Sequence, residues 1–235
     1  MRGMKSTIAL AVVLLALGGY IYYDSTREGT DSGTGQEKVF PAAKSDQIEE
    51  ITVKNDAGDV TTVRKDGDSW KLTAPVQAPA SAADAGNLAS SIAGLEITRV
   101  VEPNPANLAE FGLEQPRIRI DFTGKDQPAG HLLVGEKNPT GAGLYAKRND
   151  EPAVFLIGSF NETALNRSTF DLRDKSLISI PRDKVQGIEI VNPSAKVVLT
   201  KKEKEWRVTS PVDARADFSS SEALLGRLES AQMKS

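Results

Sequence analysis

His131 is the only histidine of the chain, so any chemistry that needs an imidazole depends on it. It stands at the start of a predicted strand, directly before Leu132. A serine hydrolase would also need a serine on a sharp turn, and the sequence contains no G-x-S-x-G motif. A zinc site needs more nitrogen or sulfur ligands than one histidine supplies. We interpret His131 as a strand-edge or partly buried histidine.

The run from Gly135 to Gly143 is rich in glycine and resembles a phosphate-binding loop. It lacks the Gly-Lys-Ser/Thr ending of such loops and leads into Leu144-Tyr145-Ala146, which has the pattern of a strand. Without the N-terminus of a helix, no set of backbone amides converges on a phosphate. We predict a flexible hairpin loop that would serve, at most, for contact.

Three acidic runs offer carboxylates: Asn55–Asp59, Asp66–Asp68, and Asp46 with Glu49-Glu50. Calcium needs six to eight oxygen ligands, and the first two runs lack the spacing and the closing glutamate of an EF-hand. Neighbouring carboxylates in sequence do not form the opposed pair that a glycosidase needs. We predict hairpin turns, and expect no catalytic residue, no bound cofactor and no metal. The chain is therefore expected not to be an enzyme.

Trp70 and Trp206 are the only tryptophans, and each precedes a Thr-x-Pro sequence. Exposed tryptophans often stack on sugars, so a carbohydrate site is one interpretation. Because the same context occurs twice, we favour a second one, in which both are core residues that pack on the helix that follows.

The charged triplet Arg173-Asp174-Lys175 lies between Phe170 and Leu177. It would form either an ion-paired hinge between two parts of the chain or a solvated linker. Exposed ion pairs contribute little to stability, and the sequence leaves both interpretations open.

Composition limits the classes of function. The 235 residues carry a formal net charge of −3 and include no cysteine. Lys and Arg are scattered without a basic stripe, so we expect no nucleic-acid partner. The absence of cysteine excludes disulfides, thiolate metal sites and lipid attachment to cysteine, so the fold depends on its hydrophobic core.

The N-terminus has the pattern of a membrane anchor. Arg2 and Lys5 precede an uncharged run, Ser6 to Tyr23, which ends before Asp24. As a helix, that run would reach roughly 27 Å, close to the thickness of a thin bilayer core. Basic residues remain on the cytoplasmic side, which places the rest of the chain outside the cytoplasm. Ala16-Leu17-Gly18 resembles a signal-peptidase site, so a cleaved signal peptide is the alternative, and both interpretations export the body.

An internal repeat is the most informative feature of the body. Residues 70–80 and 206–216 share the pattern W-x-x-T-x-P-V-x-A-x-A at an offset of 136 residues. Upstream, residues 46–53 match residues 183–190 at an offset of 137. We place the one-residue difference between Lys65 and Trp70, where turn residues stand.

Each copy predicts a β-meander followed by a helix. In the first copy, alternation at Ile51 and Val53 and again at Trp70 and Leu72 indicates half-buried strands, with a third strand around Val60 and Val63. The helix covers roughly Ser81–Leu95, with an apolar face at Leu88, Ile92 and Leu95. In the second copy the equivalent face is expected at Leu224, Leu228 and Ala231.

The segment between the copies predicts an antiparallel meander. Its four strands are expected at Arg117–Phe122, His131–Gly135, Leu144–Lys147 and Ala153–Ile157, with a short helix at Phe160–Leu165. The second copy reaches the end of its helix at Ser235 with no equivalent of this segment. Either the protein is a shortened version of a longer architecture, or the chain is a fragment of one.

Several motifs resemble the bacterial domain family DUF4340. They are Trp70 with Pro75, Phe111-Gly112-Leu113-Glu114-Gln115-Pro116, Leu133-Val134-Gly135 with Tyr145-Ala146-Lys147, and Phe170 through Leu177. The resemblance covers roughly Ser45 to the C-terminus and implies no catalytic residues. It further implies an N-terminal membrane segment and a genomic association with ABC-type export systems likened to gliding-motility machinery.

We therefore expect an α+β protein in which two meander-plus-helix units flank a central antiparallel segment. The expected parts are a transmembrane anchor or signal peptide (1–23), a flexible linker (24–44), a first unit (45–100), a central β-rich segment (101–182) and a second unit, complete or truncated (183–235). The expected function is that of a membrane-tethered, extracytoplasmic interaction module in an ABC-type transport or envelope complex. Contacts would involve exposed sheet edges or the loops Pro103–Ala109 and Lys137–Gly143. A module that binds cell-wall glycan or peptide is the alternative.

Overall fold

The computed structural model of the chain describes residues 37–203 and 205–234. Alternating apolar residues form the strands of this α+β fold. The strands are β1 Ile48–Lys54, β2 Val60–Asp66, β3 Ser69–Ala74, β4 Ala78–Pro79, β5 Arg99–Glu102, β6 Ile118–Gly124, β7 Gln127–Lys137, β8 Gly143–Arg148, β9 Val154–Gly158, β10 Gly187–Asn192, β11 Ala195–Lys202, β12 Glu205–Ser210 and β13 Ala214–Arg215. The helices are α1 Ala82–Ala93, α2 Glu162–Leu165, α3 Thr169–Leu172 and α4 Phe218–Glu229. The predicted α+β class is confirmed.

Strands β1 to β9 form one antiparallel sheet in the order β4-β3-β2-β1-β6-β7-β8-β9-β5. The first meander and the central segment, which the sequence suggested as successive parts, are continuous in this sheet because β1 pairs with β2 on one side and with β6 on the other. We call this sheet with α1, α2 and α3 the N-terminal body.

Helix α1 covers one face of the N-terminal body. Ser81 caps its N-terminus by accepting a hydrogen bond from the backbone N–H of Asp84, and Leu88 and Ile92 are fully buried against the sheet. Leu95, predicted as the last residue of this helical face, is buried just beyond the end of the helix. Helices α2 and α3 add Leu165 and Leu172 to the same core.

Strands β10 to β13 form a second, four-stranded antiparallel sheet, which α4 covers. We call these elements the C-terminal unit. They repeat the first meander and its helix, including the cap, since Asp217 accepts a hydrogen bond from the backbone N–H of Ser220 at the start of α4.

The predicted position of the one-residue difference between the copies is wrong. Ile51 pairs with Val63 in the first copy, and Ile188 pairs with Leu199 in the second, so the first hairpin of the second copy is one residue shorter. The next hairpin has the same length in both copies, because Lys65 and Lys201 pair with the two tryptophans at equal spacing. The missing residue therefore lies in the β10–β11 hairpin, whose turn is Pro193-Ser194, and not in the turn before the tryptophan. The turn tolerates the change because it does not alter the strand pairing on either side.

The buried face of α4 also differs from the prediction. Leu225 and Ser221 are the buried residues of this helix, while Leu224, Leu228 and Ala231 are partly exposed. The equivalent of Leu225 in α1 is Ala89, which gave no signal of a large apolar side chain.

The segment Leu172–Leu177 joins the N-terminal body to the C-terminal unit by backbone hydrogen bonds. On one side, Ser81 N–H donates to the carbonyl of Leu172 (2.9 Å) and Asp174 N–H donates to Pro79 (3.0 Å). On the other, Met233 N–H donates to the carbonyl of Lys175 (2.8 Å) and Leu177 N–H donates to Ala231 (3.2 Å). Among the described residues no salt bridge involves Arg173-Asp174-Lys175, so the connection is made by the backbone and not by the ion pairs of the predicted hinge.

The predicted membrane anchor and residues 24–36 of the predicted flexible linker lie outside the described residues. The prediction of a flexible linker is wrong for residues 37–44, because Val39 and Phe40 are 1% and 7% exposed in the core of the N-terminal body. Within residues 37–203 and 205–234, none of the helices combines the length and the apolar character that crossing a membrane requires.

Candidate interaction surface

The residues whose types suggested chemistry are dispersed over the N-terminal body, except for Trp206, which lies in the C-terminal unit. His131 lies on β7, where its Nδ1 is 2.5 Å from a carboxylate oxygen of Asp121 on the neighbouring strand β6. Both side chains are part of the sheet surface, and the histidine is partly buried, in agreement with its interpretation as a strand histidine. Among the described residues, no group of three or more acidic or histidine side chains is placed to hold a metal ion.

The glycine-rich run contains the turn between β7 and β8, as predicted, and its first three residues belong to β7. Asn138 organises it, because its side-chain oxygen accepts hydrogen bonds from Gly143 N–H and from the hydroxyl of Thr140, both at 3.1 Å. Gly141 adopts a positive φ of 73° that favours glycine. The loop is a hairpin without an attached helix and has no phosphate-binding geometry.

A charged cluster fixes this loop and the first acidic turn to α2. Glu162 accepts from Lys137 (2.7 Å) and from Arg117 (2.8 Å), and Arg117 also contacts Asp56 (3.2 Å). The hydrogen bond from Lys137 lowers the pKa of the Glu162 carboxyl, partial burial opposes this, and Arg117 lowers the pKa further. Two carboxylates and two cations are thus paired with one another, and these ion pairs connect the end of β7, the turn after β1 and helix α2.

Replacing Glu162 by glutamine is expected to lower the free energy of unfolding by about 1 kcal/mol at pH 7. Because the folded-state pKa lies below that of the unfolded chain, the carboxylate stabilises the fold above the unfolded pKa of about 4.3. The contribution is lost as the pH falls through the folded pKa, so denaturation curves of the variant and the wild type should converge towards pH 3. Glu189→Gln, which removes an ion pair whose members are 55% and 53% exposed, is the control and should change stability by less than about 0.5 kcal/mol. A constant difference at all pH values would contradict the assignment.

Both tryptophans are core residues, as predicted. Trp70 and Trp206 are 7% and 1% exposed, and the Nε1 of Trp206 donates to Glu222 on α4 at 3.0 Å. Their burial removes the observation on which a glycan-stacking role depended.

The internal repeat reveals an apolar surface that is covered in one copy and open in the other. Val53 is fully buried in the N-terminal body, whereas its equivalent, Ile190, is 38% exposed. In the first copy, β6 lies beside β1, and α2 and α3 cover that end of the sheet, where the hydroxyls of Thr61 and Thr169 meet at 2.7 Å. No described segment occupies either position in the C-terminal unit.

A groove lies beside β10 on this open side. It encloses about 330 Å³, and its walls are mainly apolar: Ile178, Ile180, Val185, Ile188, Leu225 and Leu228. The side chain of Ile180 is 58% exposed to solvent, whereas isoleucine is one of the residues most often buried. A concave, mainly apolar pocket of this volume lies at the lower end of the size range of ligand-binding and contact sites.

The edge of β10 completes this surface. The four-stranded sheet begins with β10, and its backbone pairs with β11 alone among the described residues. We call the free edge of β10 and the adjoining groove the β10 surface.

Charged residues surround the β10 surface without closing it. Arg182 donates to the carbonyl of Glu222 (3.2 Å) and approaches the carboxylate of Glu229 (3.7 Å) at one end. Glu189 pairs with Lys196 on β11 (2.8 Å), so it turns towards its own sheet. The rim therefore has both signs of charge, and the apolar floor remains accessible.

The other predicted contact loop, Pro103–Ala109, begins after β5 and ends in the short turn that carries Phe111. It packs on the small cluster of Phe111, Leu113 and Val154. Neither loop is associated with an apolar groove comparable to that beside β10. The sequence predicted contacts at sheet edges in general but did not single out β10. The signal that could have indicated it is the pair Ile178 and Ile180, two apolar residues in a segment for which no strand or helix was predicted.

In the comparison with protein families, the model described as domain of unknown function (DUF4340) matches residues 70–235. None of the curated proteins and none of the solved structures matches the chain.

Proposed function

The chain belongs to the DUF4340 family, and on this premise we propose that it is a membrane-tethered, extracytoplasmic, non-catalytic interaction module, an auxiliary component of an ABC-type transport or envelope complex. The observation that carries the proposal is the β10 surface, an apolar groove and an open strand edge in a unit whose repeat has the same positions filled.

The tether is supported by the sequence before the body. Arg2 and Lys5 precede the apolar run to Tyr23, and the polar stretch that follows would give the body reach from the membrane. The two-unit arrangement, with the anchor at one end and the β10 surface in the other unit, suits a protein that presents a contact site away from the bilayer. The transport setting comes from the family resemblance alone.

Affinity isolation of the tagged full-length chain from solubilised membranes tests the proposal. We expect recovery of an ABC-type permease or ATPase with the wild type, and at least a tenfold loss of it when Ile180 is replaced by glutamate, because a charge in the groove opposes burial. Phe160→Glu is the matched control, since Phe160 is 84% exposed on the N-terminal body and lies outside the groove. Recovery of the chain alone, or equal recovery with both variants, would contradict the proposal.

A further inference from the structure

The β10 surface also indicates what kind of segment it receives, an inference that rests on the proposed function. In the N-terminal body, the strand equivalent to β10 is β1, and β1 is paired on both sides. Its second partner, β6, runs antiparallel to it, with Phe122 opposite Ile51 and Ile120 opposite Val53. Those four side chains are buried.

The backbone of β10 is oriented to accept such a partner. Lys201 N–H donates to the carbonyl of Gln186 at 2.8 Å, just before β10 begins. Because hydrogen-bonded pairs alternate along an antiparallel ladder, Ile188 and Ile190 also bond to β11, and the N–H and C=O groups of Glu189 and Val191 face outwards. In β1 the equivalent residues are paired with β6.

The side chains beside this edge fit the same arrangement. Ile188 and Ile190 occupy the positions of Ile51 and Val53, which β6 covers with large apolar residues. The groove lined by Ile180, Ile188 and Leu225 lies where the side chain opposite Ile188 would enter. A helix would fill the groove but leave the outward backbone groups of β10 unpaired.

We propose that β10 binds one extended segment of a partner protein, which adds antiparallel to the sheet and carries large apolar side chains at alternate positions facing Ile188 and Ile190. The segment has the chemistry of β6, whose inward residues are Ile118, Ile120 and Phe122. Backbone hydrogen bonds to β10 supply affinity, and the groove selects the apolar side chains.

Pairing between two copies of β10 fits less well. In the register that places Ile188 of one copy opposite Ile190 of the other, the two Glu189 side chains are directly opposite each other. Two like charges in that position destabilise the pairing. The neighbouring registers place Asn192 against Ile188, or Gln186 against Ile190, and so bury a polar side chain. A second copy of β10 is therefore not the occupant.

A peptide with the sequence of residues 116–124 (PRIRIDFTG) is a direct probe of this site. With the full-length chain in detergent, fluorescence anisotropy of the labelled peptide should show saturable binding. Glu189→Pro should weaken binding at least tenfold, because proline removes an outward N–H while the β11 ladder is kept. Glu189→Ala removes the same charge but keeps the N–H, so it should bind the peptide at least tenfold more tightly than Glu189→Pro does.

Further controls keep the inference testable if proline disturbs the fold. Ile180→Glu, at an exposed position of the groove, should weaken binding of the peptide at least tenfold. A peptide with aspartate in place of the central isoleucine should not bind. Equal binding to Glu189→Ala and to a folded Glu189→Pro would overturn the inference, as would binding that Ile180→Glu leaves unchanged, or dimerisation of the chain that Glu189→Pro abolishes.

The inference and the proposed function fail in different ways. If an ABC-type component is recovered equally with the wild type and with a folded Glu189→Pro variant, strand addition is wrong and the interaction module stands. If the peptide binds as described but no such component is recovered, strand addition stands and the transport setting is wrong.

Discussion

Replacing Trp206 by alanine is expected to unfold the C-terminal unit while the N-terminal body remains folded. Trp206 is 1% exposed, and among the described residues its core contains three other buried apolar residues: Ile188, Leu199 and Leu225. Removing a buried tryptophan costs about 3–5 kcal/mol, and here the hydrogen bond to Glu222 is also lost. A core of this size contributes little to stability, whereas the described part of the N-terminal body buries 28 residues in one cluster.

The chain provides its own reporter for this experiment, because Trp70 is the only tryptophan left in the variant. Fluorescence of Trp70 should stay native while circular dichroism shows a partial loss of secondary structure. Trp206→Phe is the control and should cost less, about 1–2 kcal/mol, because it retains most of the apolar contact. Loss of both signals together in Trp206→Ala would show that the two parts unfold as one.

Replacing Gly135 by alanine is expected to lower the free energy of unfolding of the N-terminal body by about 3 kcal/mol. A Cβ at this position of β7 would lie 2.1 Å from the carbonyl oxygen of Phe111 and 3.1 Å from the backbone of Gly112. Those atoms belong to a tight turn in which Gly112 has a φ of 67°, so the backbone would have to move. Chemical denaturation, followed by the fluorescence of Trp70 in a Trp206→Phe background, measures the effect.

Gly86→Ala serves as a control of opposite sign. Gly86 lies inside α1, and a Cβ there meets nothing within 4 Å. Alanine should therefore stabilise the helix, by about 0.5–1 kcal/mol, through its smaller loss of backbone entropy. If both substitutions destabilise the protein to a similar extent, the close approach at Gly135 is not what sets the cost.

The repeat could be predicted from the sequence because its two copies share distinctive residues. Trp70 and Trp206 with their Thr-x-Pro context fixed the correspondence, and alternation around Ile51 and Ile188 located the strands. Both copies form the predicted meander and helix. Local patterns suffice for such elements because short-range periodicity determines which face is buried.

The pairing of strands that are far apart in the sequence could not be predicted in the same way. Nothing in the alternation of β6 says that it lies beside β1, some 70 residues earlier in the chain, and β5 has mostly exposed residues and gave no strand signal. The β10 surface depends on that pairing, because β10 is recognised as open only after β1 is seen to be closed. Ile178 and Ile180 become informative for the same reason, since only the structure places them beside β10.

Site-specific photocrosslinking in living cells shows whether the β10 surface contacts a partner protein. A photoreactive amino acid is placed at Val191, 67% exposed on β10, or at Ile180, 58% exposed in the groove, and as a control at Phe160 on the N-terminal body. We expect a crosslink to one and the same partner protein from Val191 and Ile180, and none to it from Phe160. Crosslinks of equal strength from Phe160, or adducts between copies of the chain alone, would contradict this expectation.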